Sequence, residues 1–109
     1  MVVTWPTAMT EHADIAMWLQ DVERCVDRRE QCFYTIEHPY TQERSVEDGA
    51  RTTTELMLMQ KEGVNLMHVA EALVETAEHD NTRRRAKNVR ERLRINQTRI
   101  VAALGRMTA

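Results

Sequence analysis

The side chains best suited to chemistry lie in one short stretch: His68, Glu71, Glu75 and His79. On a helix, spacings of i, i+3, i+7 and i+11 keep them close to one side. Imidazole nitrogens and carboxylate oxygens so arranged could share a divalent ion. The patterns that make such a site firm are missing. There is no Glu-x-x-His pair of the kind that builds di-iron centres in helical bundles, and no His-Glu-x-x-His. Cys25 and Cys32 lack zinc-finger spacing. Seven residues apart on one helix, they stand about 10 Å from each other, too far for a mutual disulfide. Both are read as small buried hydrophobes in a reducing compartment. Ser45, the only serine, is claimed as a helix cap, and no glycine-rich phosphate loop occurs. The expectation is a protein that is not an enzyme, with no catalytic residues, no metal and no cofactor. Residues 68–79 are then a polar helix flank.

The elements that carry these groups follow from composition and periodicity. Glycine and proline together number five in 109 residues, which favours long helices. No segment alternates apolar and polar residues, so no strand is expected. Ile15, Leu19, Val22, Val26, Phe33 and Ile36 form one apolar stripe, widened by Trp18, Cys25 and Cys32, with Arg29 in the missing place. A second stripe runs through Leu56, Met59, Gly63, Leu66, Met67, Ala70, Leu73, Val74 and Ala77. Gly63 on that stripe is read as a close crossing within one continuous helix. The third stripe is Ala86, Val89, Leu93, Asn96, Ile100, Ala103, Leu104 and Met107. Thr10 is the expected cap of the first helix, and Ser45 with Asp48 that of the second. The fold class is all-α: an antiparallel three-helix bundle or an elongated helical hairpin with coiled-coil-like packing, expected to oligomerise. Residues 1–109 form a single domain, with an extended arm over 1–9 and helices over about 10–37, 46–79 and 82–106. No apolar run approaches the ~20 residues that span a bilayer, and the N-terminus lacks the marks of a signal peptide. A cytoplasmic protein without membrane contact is expected.

The charges are unevenly placed. Residues 81–109 carry nine basic side chains and one acid, against six basic and sixteen acidic ones in the first 80. Such a split calls for a partner to each half. A tight turn near residues 80–81 pairs residues whose numbers sum to about 161, bringing Glu78 to Arg83, Glu75 to Lys87 and Glu71 to Arg90. The same register sets Leu66 against Asn96 and Met59 against Ala103, so charge and apolar patterns agree on one hairpin. Arg84, Arg85, Arg92, Arg99 and Arg106 are left on an outer arc. Some of them can meet acids of the first helix such as Asp14, Asp21 or Glu23, and several are expected to stay in solvent.

Residues 83–94 read RRRAKNVRERLR. Through Asn88, Glu91, Arg92 and Arg94 this run resembles the basic region of basic helix-loop-helix transcription factors. That resemblance implies a glutamate reading base edges and arginines holding phosphates. It covers about 12 residues, and the helix, loop and second dimerising helix that the family requires afterwards do not fit in the 15 that remain. A sequence-tolerant grip on phosphates by the outer-arc arginines is the broader form of the same idea. The acidic first two helices oppose it, and no aromatic residue after Tyr40 offers a stacking platform.

Leu56, Met57, Leu58 and Met59 are four consecutive apolar residues, and they cover all sides of a helix. A stripe buries only some of them. With Val64 and Val69, also off the stripe, they mark a contact with a further helix, and methionine suits an adaptable interface. The expected function is a non-enzymatic helical protein-interaction module: an adaptor, assembly factor or small chaperone-type subunit, working as a homodimer or with a helical partner. A nucleic-acid-binding regulator using residues 83–99 is the alternative. Asn96 and Arg29, polar on apolar stripes, are read as residues that fix register or oligomer state.

Overall fold

Three helices hold nearly all of residues 12–38 and 46–108, which the computed structural model describes. They are α1 (His12–Glu37), α2 (Val46–Thr76) and α3 (Asp80–Thr108), with no strand among the described residues. The expected arm over 1–9, the Thr10 and Ser45 caps and the loop over 40–44 lie outside those residues. No helix is long and apolar enough to cross a membrane among the described residues.

The direction of each helix can be read from its partners. Thr53 meets Met107 and Gly63 lies under Gln97, so α2 and α3 run antiparallel with pairs that sum to 160, one from the register expected. Glu23 meets Arg85 and Arg29 meets Asn96, so α1 runs parallel to α3. The result is an up-down-up bundle measuring 50 × 23 × 22 Å.

The three stripes meet in the interior as two apolar compartments. One holds Ile15, Leu19, Val22 and Val26 of α1 with Leu66, Leu73, Val89 and Leu93. The other holds Phe33, Leu56, Ile100, Ala103 and Leu104. Burial of these side chains, the larger ones each worth about 1.5–3 kcal/mol on leaving water, is the main source of stability. Gly63 does not break α2, as expected.

The turn between α2 and α3 departs from expectation. Helix α2 stops at Thr76 rather than at 79, and α3 starts at Asp80 rather than 82. The Ala77 N–H still donates to Leu73 O at 3.0 Å, while Arg83 reaches back and donates to Ala77 O at 2.6 Å. That guanidinium holds a carbonyl the ended helix leaves without a partner. The His79 carbonyl accepts the first bond of α3, from Arg83 N at 2.9 Å, so His79 takes the N-cap position. Asp80 in the first turn opposes the positive end of the helix dipole. The cysteines also differ from their reading: Cys25 is half-buried against the core and Cys32 is exposed, both as free thiols.

Candidate interaction surface and the polar layer beneath it

A buried polar layer separates the two apolar compartments, and it sets the height of the helices relative to one another. Arg29 is only 5% exposed and Asn96 4%. Arg29 Nε donates to Asn96 Oδ1 at 2.9 Å, and its two terminal nitrogens donate to Met59 O and Gln97 Oε1, each at 2.5 Å. Gln97 Nε2 donates to Gln60 O at 2.7 Å. One guanidinium thus ties α1 to both other helices. No buried side-chain nitrogen or oxygen lacks a partner among the described residues.

Glycine makes this layer fit. A Cβ built at Gly63 would fall on the Gln97 carboxamide. The missing side chain lets Gln97 lie across α2 and reach the second lone pair of the Gln60 carbonyl. Burial lowers the pKa of Arg29, and nearby Glu62 opposes that shift without forming an ion pair with it. The layer therefore holds a positive charge on neutral acceptors. Arg29 and Asn96 were legible as interruptions of two stripes. Gln97 was not, although Gly63 on the facing stripe was its signal.

The surface divides differently from the sequence expectation. None of the cross-hairpin pairs Glu71–Arg90, Glu75–Lys87 and Glu78–Arg83 is among the ion pairs formed. The ion pairs run instead from α3 to α1: Arg85 to Glu23 at 2.5 Å, and Arg92 to Asp27 at 2.6 Å and to Glu30. Hydrogen bonds from Arg92 to Glu30 and Asp27 raise its pKa above the usual range. Arg94 is held by Glu91 at 2.5 Å, and that bond pushes the Glu91 carboxyl below its usual value. Arg84, Arg99 and Arg106 are exposed and form no ion pair with a described residue. The outer arc is thus split, two members bound to α1 and three in solvent.

The six apolar residues singled out on α2 also divide. Leu56 and Val69 are buried inside the bundle and Met59 is half-buried. Met57, Leu58 and Val64 are 58%, 57% and 51% exposed. Met57 and Val64, seven residues apart, lie on one line of the helix, whereas Leu58 is about 100° around from Met57. An open groove lies between α2 and α3, and Met57 and Val64 stand on the exposed face of α2 outside its lining. Met67, Arg94, Gln97, Thr98 and Val101 line that groove. Val101 is 48% exposed.

His68, Glu71 and Glu75 stay exposed on α2, but His79 sits beyond its end, so the four do not share one helical line. Among the described residues no group of three His, Cys, Asp or Glu stands close enough to hold a metal ion. Comparison with known proteins finds no matching family model, curated protein or solved structure.

Proposed function

We propose that this chain is a helical protein-interaction module, an adaptor, assembly factor or small chaperone-type subunit, that accepts a further helix in the groove between α2 and α3. It would act as a homodimer or with a helical partner. The observation that carries this reading is surplus apolar surface on these two helices: exposed Val101 and half-buried Met67 line the groove, and Met57 and Val64 are exposed on α2. A bundle that had completed its packing would place water-soluble side chains there. Nucleic-acid binding has less support, because Glu23, Asp27 and Glu30 already hold Arg85 and Arg92. The test is light scattering on the purified chain, alone and with proteins captured from its source cell. Val64→Lys and Val101→Lys should abolish association while leaving the helical content unchanged. Association that survives both substitutions would remove the groove from consideration.

A further inference from the structure

The two helices that form the groove carry opposite charges at the same end. On α2 the line Met57, Val64, Glu71 advances seven residues at a time, and Glu75 follows one turn later. On α3 the corresponding line is Val101, Arg94, Lys87, with Arg90 beside it. Both lines are apolar towards the open end of the hairpin and charged towards its turn. In the antiparallel register, Glu71 and Glu75 stand at the height of Lys87 and Arg90. Yet none of these four forms an ion pair with any described residue. Acids on α2 and bases on α3 are thus left without ion pairs on the exposed faces of the two helices that form the groove.

We infer that the occupant of this groove is a second copy of the same chain, related by a two-fold axis parallel to the helices. That axis lays α2 of one copy against α3 of the other, antiparallel and at equal height. Met57 and Val64 then face the partner's α3 near Val101, and Glu71 and Glu75 face Lys87 and Arg90 of the partner subunit. The contact is isologous, so each acid–base match occurs twice. The other two-fold arrangement, with the axis across the helices, sets α2 on α2 with ends reversed. Pivoting at Val64, it would press Glu71 onto Met57 of the partner subunit and bury carboxylates on thioethers, an unfavourable transfer. An acidic or basic foreign helix would satisfy one line and leave the other unmatched. A second copy carries both lines in this order and answers both. Like charges in juxtaposition across an interface are strongly unfavourable, which gives the lines their selecting power.

This inference rests on the groove reading above, and charge reversal separates the two. Light scattering on the full chain should give twice the chain mass. Glu71→Lys with Glu75→Lys makes both lines basic, and Lys87→Glu with Arg90→Glu makes both acidic. Each double variant alone should run at the single-chain mass with unchanged circular dichroism. Mixed in equal amounts, the two should recover the doubled mass, because every acid again meets a base. A parent that stays single at all concentrations overturns the second-copy assignment. Doubled mass in both charge variants, with loss only in Val64→Lys, overturns the axis assignment and leaves the groove as the contact. Doubled mass in Val64→Lys and Val101→Lys as well overturns both.

Discussion

Arg29 donates from Nε to Asn96 Oδ1 at 2.9 Å, and both side chains are sealed from solvent between two apolar compartments. A buried charge that is fully hydrogen-bonded is tolerable, but a half-dismantled site is not. Arg29→Met removes the donor and leaves Asn96 Oδ1 facing apolar neighbours. The expected loss is about 2–4 kcal/mol of unfolding free energy in urea. Adding Asn96→Leu removes the most deeply buried of the side-chain acceptors left behind, and the double variant should recover at least half of that loss. Strictly additive losses would mean that the two residues do not act as a unit.

Gly63 and Gln97 should show the same coupling with reversed sign. In the native background Gly63→Ala drives its new methyl into the Gln97 carboxamide, which must let go of Arg29 or Gln60. The bonds lost outweigh the gain in helix propensity, and a net destabilisation of about 1–2 kcal/mol is expected. A Gln97→Ala background removes the three atoms nearest to that methyl. There Gly63→Ala should stabilise by up to about 1 kcal/mol, the ordinary advantage of alanine in a helix. Thermal unfolding of the four proteins checks this, and equal effects in both backgrounds would refute it.

Two kinds of information were unequally legible in the sequence. Periodicity alone placed the stripes from Ile15 to Ile36, Leu56 to Ala77 and Ala86 to Leu104, because an apolar face has no alternative to burial. The α2–α3 register also followed, since a tight turn leaves the hairpin little freedom to slide. The height of α1 is different. It enters through residues far from that turn, so nothing in its pattern foretold that Arg29 would lie level with Asn96. The cross-hairpin ion pairs failed for a related reason. An exposed carboxylate gains little by giving up water for a guanidinium, so facing position does not compel contact. For the groove, the run Leu56–Met59 announced surplus apolar surface, but a helix passing all four around its circumference could not say which stayed outside. The answer came from the packing of Phe33 of α1 and Ile100, Ala103 and Leu104 of α3, which bury Leu56 and leave Met57 open.

Not all arginine contacts are equal. Arg92 meets Asp27 and Glu30 with its side chain 41% exposed. Water and salt screen such pairs, so Arg92→Gln should cost no more than about 1 kcal/mol, and less at high ionic strength. Arg85→Gln should behave alike, its partner being Glu23. Set beside Arg29→Met, these variants form an internal scale for one residue type at three sites. Urea midpoints that ranked Arg92 with Arg29 would contradict the burial difference on which that scale depends.

The charge at position 29 also has a pH signature. Burial lowers the pKa of Arg29, so the folded protein holds that proton less tightly than the unfolded chain does. Stability then rises with pH only between the folded pKa and the ordinary, higher one. For an arginine that window lies in strong alkali, and the native protein should gain nothing from this group near neutrality. Arg29→Lys moves the window into reach. A free lysine titrates near about 10.4, and full burial lowers that by up to about 3–5 units. Below its folded pKa the variant carries the whole penalty of a buried ammonium with poorer hydrogen bonding. Between roughly pH 7 and 10 the unfolded chain binds more protons than the folded one, so the stability of the variant should climb with pH while that of the parent does not. Urea unfolding at about pH 6.5, 8 and 9.5, which span that window, reads the difference directly when run on both proteins. Parallel profiles would mean that the side chain at 29 escapes to water, and that the polar layer is not closed.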